Sequence, residues 1–240
     1  PVAGSPGEDA GFRYWYPRAK TEVRDVYVNP SATAGGDGTQ AAPHRTFSAA
    51  LADLKHGDII HLGGRVYSLR NEETSSYKID GFDNVVIDGE GAVIDGGDCE
   101  LSSGIMSVLN AKRFTLKNIT FRNLKVKSTA NSGRAGIYLS NVTEGVMSNI
   151  AFERCKLIVD ADVAFAVNGG LLHITTSGHV FVRDFTVDGF EVDALKSTKA
   201  LTMKGIAVYV NSAYVQILGS RYIGCTFKST VSTSTMMGIV

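Results

Sequence analysis

The feature of this 240-residue chain that most constrains its fold is a pattern recurring four times between Phe114 and Phe227. The copies run Phe114 to Val126, Gly145 to Leu157, Val180 to Val192 and Val215 to Phe227. Their apolar columns line up as Leu116/Met147/Val182/Ile217, Phe121/Phe152/Val187/Tyr222, Leu124/Cys155/Phe190/Cys225 and Val126/Leu157/Val192/Phe227. Within each copy apolar and polar residues alternate, the period of a half-buried strand. The copies are offset by 31, 35 and 35 residues, counted from Phe121 to Phe152, Val187 and Tyr222. A helical repeat of that length needs apolar residues three and four apart, and β-branched residues with Asn and Gly at fixed places argue against it.

A shorter strand precedes each copy: Met106-Ser-Val108, Ile137-Tyr-Leu139, Leu172-His-Ile174 and Ala207-Val-Tyr209. The middle residues, Ser107, Tyr138, His173 and Val208, are expected to point outward. Asn118 and Asn149 recur at one bend, with Asp184 in the third copy. Stacked strands, bends and polar ladders predict an all-β fold, a right-handed single-stranded parallel β-helix, each coil rising about 4.8 Å. Length alone would allow several domains, but the uninterrupted repeat assigns residues 26–240 to one solenoid and leaves 1–25 as a linker or joint. Net charge is zero, 24 basic against 24 acidic residues, so neither nucleic-acid capture nor attraction to an anionic membrane is expected. No apolar run is long enough for membrane insertion.

Cys155 and Cys225 share an inward column with Phe190 between them. Their separation is about two strand spacings, ~9.6 Å, too far for a disulfide. Cys99 has no evident partner, so all three read as buried apolar residues. Gly4-Ser-Pro-Gly7 supplies two triplets that fit a collagen-like trimer or, equally, a flexible linker. At the other end Gly238-Ile-Val240 matches the start of a short strand, as in Gly136-Ile-Tyr, which predicts a chain that stops in mid-coil. Thr46 to Gly57 reads as a capping helix, with Thr46 as N-cap, Phe47, Ala50, Leu51 and Leu54 on one face and Gly57 as the stop. Asp58 to Leu62 then reads as a strand and Gly63 to Tyr67 as a turn into the next.

The run Val26-Tyr-Val-Asn-Pro30, Gly35-Gly-Asp-Gly-Thr39, Ala42-Pro43, Thr46, Ala49-Ala-Leu51, Gly57-Asp-Ile-Ile60 and Gly64 to Tyr67 resembles the opening coil of the pectin-lyase-like β-helix superfamily. The resemblance covers residues 26 to 227. That superfamily includes polysaccharide lyases, glycoside hydrolases and bacteriophage tailspikes, and its opening motif speaks for the fold without choosing an activity. Tailspikes place a fibrous segment and an aromatic joint before the β-helix, and Gly4 to Gly7 with Phe12-Arg-Tyr-Trp-Tyr16 resemble such a joint. The same rings would also serve as a cover for the first coil's open end.

Enzymes of this fold work with carboxylates, or with a Lys, Arg or Tyr base beside a neutralising cation, on outward positions of adjacent coils. Long inserts recur at one place, Lys127 to Gly136, Ile158 to Gly170, Asp193 to Gly205 and Lys228 to Gly238. They are expected to form a wall beside the outward stripe of Tyr138 and His173. The candidate catalytic acids there are Asp160, Asp162 and Asp193. Tyr138, His173, Arg134 and Lys196 are the candidate sugar-binding residues, with Lys199 nearby. The bland reading of Asp160-x-Asp162 is turn hydrogen bonding. Ser177-Gly-His179 only partly echoes the superfamily's Gly-His-Gly signature, and its paired Asp-Asp is missing. Lys125/Lys156/Glu191 reads as a salt-bridge ladder. His44, His56 and His61 lack metal-ligand spacing, Gly35 to Gly38 reads as a turn, and no cofactor or metal is expected.

Together these features predict a homotrimeric phage tailspike or tail-fibre component on the virion tail that binds a host surface glycan, with its cutting left open and other tail proteins as further partners. The alternatives are a secreted monomeric polysaccharide lyase or glycoside hydrolase and a purely structural stalk.

Overall fold

In-register parallel stacking puts each residue against its counterpart one coil away, so a column of like residues in the sequence becomes a ladder in space. The computed structural model describes residues 23–72 and 76–231 and the strand Ser234–Met237. Over these residues the chain is an all-β parallel solenoid of about six turns with a short helical cap. Gly4 to Gly7, the Phe12 to Tyr16 cluster and Gly238 to Val240 lie outside the described residues.

The spine is a 12-stranded sheet. Its strands run in spatial order through Asp25–Tyr27, Ile59–His61, Val85–Asp95, Arg113–Arg122, Glu144–Val159, His179–Ala194 and Tyr214–Leu218. The four sequence copies stack in the expected register, Leu116 on Met147 on Val182 on Ile217 and Phe121 on Phe152 on Val187 on Tyr222. Two earlier coils belong to the same series, Ile60 pairing with Ile87 and Ile87 with Leu116. They escape the repeat because Gly89-Glu-Gly91 adds residues between Asp88 and Ala92 and shifts the register there. Down the core Phe121 stacks on Phe152 at 5.0 Å, and Phe152 meets Phe185 at 5.7 Å. Cys155, Cys99 and Cys225 are free thiols, and burial pushes the Cys155 thiol up to about 12.

Each coil bends where a residue enters the left-handed region, and short amides hold these bends by bonding one coil down. Asn149 donates to Asn118 at 3.1 Å and Asn118 to Asp88 at 2.9 Å, with φ of 52° and 58°. Two further ladders run in parallel. Asn141 donates to Asn110 and Asn110 to Asp80, both at 2.8 Å. In the other, Asn123 donates to Asp95 at 3.0 Å and Arg154 Nε to Asn123 at 3.1 Å.

A five-stranded sheet carries the short strands Tyr77–Asp80, Met106–Leu109, Ile137–Ser140, Leu172–Thr175 and Val208–Asn211. Here one expectation is corrected. His173 pairs with Tyr209 and Leu172 with Val208, so Val208 is 1 % exposed and faces inward while Tyr209 faces out. The coil advances 36 residues at this strand but only 35 at the next, Val180 to Val215, because the turn after Asn211 is one residue shorter.

The inserts expected to form a wall of loops instead carry a third sheet of four strands, Ser132–Gly133, Phe165–Asn168, Leu201–Lys204 and Ser234–Met237. Phe165, Val167, Leu201 and Met203 alternate inward, none more than 4 % exposed. The inserts are therefore one side of the solenoid itself.

The cap helix spans Phe47–Ala52, with Thr46 Oγ1 accepting from the Ala49 N–H at 3.1 Å. It ends at Asp53, short of the expected Gly57, because Leu54 N–H turns back to Leu51 and Arg24 takes the Asp53 carboxylate at 2.7 Å. Gly57, at φ 88°, instead turns the chain into the strand at Ile59. Glu72, 7 % exposed, accepts from the N–H groups of Phe47 and Ser48 at 3.1 and 2.9 Å and so closes the helix start.

Candidate functional site

Each third-sheet strand lies between two corners, and the chemistry of the corners differs. The first follows the long strands, where the chain leaves the spine. Asp160 accepts from Lys127 at 3.0 Å and is paired with Lys196. Lys156 bridges Glu191 at 2.7 Å and Asp193 at 2.8 Å, and Lys228 reaches Glu191 at 2.5 Å. Lys125 pairs with Glu100 at 2.5 Å, so the column Lys125/Lys156/Glu191 is a ladder in which the two stacked lysines take acids on opposite sides. Asp162 accepts from the Thr198 N–H and hydroxyl at 2.7 and 2.8 Å.

These contacts hold all three candidate acids below the usual carboxylate range. Lys196 and then Lys127 lower Asp160, the Thr198 N–H lowers Asp162, and Lys156 lowers Asp193. An ionised, lysine-paired carboxylate is in the state of a base or a structural anion, whereas a glycosidase proton donor needs its pKa raised.

The second corner joins the third sheet to the five-stranded one. Arg134, Asn168 and Lys204 fall in line at the outward ends of three consecutive third-sheet strands. Around the bend Tyr138, His173 and Tyr209 form the outward column of the five-stranded sheet. The turn is tight. Gly169 and Gly205 sit at φ 62° and 66°, and a Cβ would come within 2.3 Å of the Leu172 carbonyl at one and 1.8 Å of the Val208 carbonyl at the other. Folding back over this bend brings the two columns into contact. The Arg134 guanidinium lies 3.8 Å from the Tyr138 ring centroid, and the Lys204 ammonium lies 6.0 Å from that of Tyr209.

The rings form a continuous row along the solenoid, Tyr138 to His173 at 5.0 Å and His173 to Tyr209 at 5.2 Å, tilted by 50° and 51°. All three are half-buried, so each keeps part of its surface open to solvent. Burial, reinforced by Arg134, pulls the His173 imidazole down to about 4, which leaves it neutral at physiological pH. Burial also lowers the Arg134 guanidinium. His173 Nδ1 and Asn168 Oδ1 are buried without a hydrogen-bond partner among the described residues. Such orphans cost about 1–3 kcal/mol each. The next outward column, Ser140, Thr175 and Asn211, adds hydroxyls and an amide and no charge.

The candidates from the sequence therefore separate into two groups. Asp160, Asp162, Asp193 and Lys196 cluster at the first corner, and Arg134, Tyr138 and His173 at the second. A four-residue strand, roughly 13 Å, stands between them. Tyr209, Lys204 and Asn168 complete the second corner and were missed. Counting 36 rather than 35 residues from His173 would have found Tyr209, and the alternation Leu201-Thr-Met-Lys204 would have found Lys204.

No protein-family model, no curated protein and no solved structure matches the chain. Among the described residues no group of three or more His, Cys, Asp or Glu side chains is placed to hold a metal ion, and no helix is long and apolar enough to cross a membrane.

Proposed function

We propose that this chain is the glycan-recognising β-helix of a phage tailspike or tail fibre, and that it attaches to a host surface polysaccharide through the row Tyr138, His173 and Tyr209. The observation that carries the reading is that row: three rings on consecutive coils, part-exposed, 5.0 and 5.2 Å apart, beside a column of hydroxyl and amide side chains. Ring faces stack on the C–H faces of sugars, and the polar column can bond their hydroxyls. Coils repeat at about 4.8 Å, so one polymer can lie along the axis and make similar weak contacts at every coil. Three such faces in a homotrimer multiply them by avidity.

A second reading, a secreted polysaccharide lyase, is favoured by the Arg134–Tyr138 contact, a cation against a potential base. Light scattering of the chain combined with a bacterial-polysaccharide array distinguishes them. A trimer that binds surface glycans without cutting, or cuts only its own receptor, supports the attachment reading. A monomer that releases unsaturated ends from soluble polysaccharide supports the lyase. A trimer with no glycan affinity would make the chain a structural stalk and remove the proposal.

A further inference from the structure

The second corner has a charge pattern that glycan recognition in general does not require. Its two cations, Arg134 and Lys204, form no ion pair with any described carboxylate, in a protein whose other corner pairs its lysines closely. Neither Arg134 nor Lys204 reaches past its ring to an acid, and Arg134 is half-buried, where an unpaired guanidinium is costly. The outward residues of the same three coils on both flanking sheets include no Asp or Glu: Ser132, Ala166 and Thr202 on one side, Ser140, Thr175 and Asn211 on the other. The cations alternate with a neutral rung. Arg134 and Lys204 are two coils apart, about 9.6 Å, with Asn168 and the uncharged His173 between them.

We infer that the groove takes an acidic polysaccharide whose anionic groups recur at every second sugar, with the anions on Arg134 and Lys204 and the intervening sugar packed at the Asn168–His173 rung. This rests on the glycan-binding reading above and adds the charge and repeat of the ligand. A pyranose advances a polymer by a length similar to the ~4.8 Å strand spacing, so a disaccharide repeat matches two coils. Arg134 can grip a carboxylate, sulfate or phosphate with two parallel N–H bonds, while Lys204 offers a point charge. The middle rung, Asn168 beside the uncharged His173, offers no charge and so suits the neutral sugar.

The test measures binding of the full chain to immobilised hyaluronan, alginate and acidic bacterial capsules. Each is also presented after chemical reduction of its carboxyl groups to alcohols, and sulfated and phosphorylated glycans serve as separate arms. The expected result is a preference of about tenfold or more for an acidic glycan over its reduced form. That preference should weaken with salt and be lost in Arg134→Gln and Lys204→Gln, and it should be greater for a polymer charged at alternate sugars than for one charged at every sugar. If the reduced glycan binds as well as the acidic one and both Gln variants bind normally while Tyr209→Ala does not, the charge inference fails and glycan recognition stands. If no glycan binds, or Tyr138→Ala and Tyr209→Ala leave binding intact, both fail. Thermal melting of each variant, expected to show one cooperative transition as in the parent chain, separates lost binding from lost fold.

Discussion

The two corners of the third sheet use charge in opposite ways. At the first, Asp160, Asp193 and Glu191 are each satisfied by lysines from their own or neighbouring coils, so the charges serve as cross-coil stitching. At the second, Arg134 and Lys204 lie against rings and pair with no carboxylate among the described residues, where His173 Nδ1 and Asn168 Oδ1 are likewise buried without a partner. Ion pairs closed within the fold leave little for a ligand. Open ones cost stability unless something outside completes them, and that difference directs the functional reading to the second corner.

The most disruptive test is one that should not distinguish the corners at all. Phe152→Ala empties a stacked core position beneath both, and chemical denaturation should show a loss of about 3–5 kcal/mol with both corners unfolding together. Separate transitions would mean that the corners belong to independent units. Next in size, the double variant Tyr138→Ala/Tyr209→Ala should weaken glycan binding by about 2 kcal/mol, roughly thirtyfold, while Lys196→Ala at the first corner changes it less than about twofold. Equal losses from the two would erase the contrast.

The corners should also separate by pH. His173 has its folded pKa depressed from 6.5 to about 4, so unfolding takes up a proton, and its contribution falls as pH drops from about 6.5 towards 4. The carboxylates of the first corner are also depressed, from ordinary values of 3.8 and 4.5. Their stabilisation is intact above those values and is lost only as pH falls further. Urea midpoints at pH 7, 5 and 3 should therefore drop in two stages, and His173→Gln should flatten the first by about 1 kcal/mol, after allowing for its partial exposure. His61 acts with the opposite sign. Burial lowers its pKa, but hydrogen bonds to Asp25 at 3.0 Å and Glu90 at 2.7 Å raise it overall, so its stabilisation is full below 6.5 and lost as pH rises through the folded value. A His61→Gln background sharpens the first stage. The smallest effect is expected for Lys156→Met, about 0.5 kcal/mol, because its two ion pairs are partly solvated.

Much of this was legible beforehand because a parallel ladder writes its register into the sequence. Leu116, Met147, Val182 and Ile217 align by eye, and one Asn ladder was visible at Asn118 and Asn149. The ladders at Asn110/Asn141 and Asp95/Asn123 were not, since their bends close with different residues, Thr176 and Ser212 or Gly189 and Gly224. The third sheet was hidden because its strands have two to four residues in inserts of unequal length. Of the candidate site, Arg134, Tyr138 and His173 were named together, whereas the acids and Lys196 were assigned to the same wall and lie at its other end.

By itself the sequence determined that this chain is a stacked parallel β-solenoid with a capping helix, because period-2 alternation repeated at coil length has no other way to bury its apolar columns. Only the tertiary structure decided which charges are closed and which stay open. That depends on side chains about 35 residues apart meeting across coils, and on a one-residue difference in turn length that exchanged Val208 for Tyr209 on the outer face.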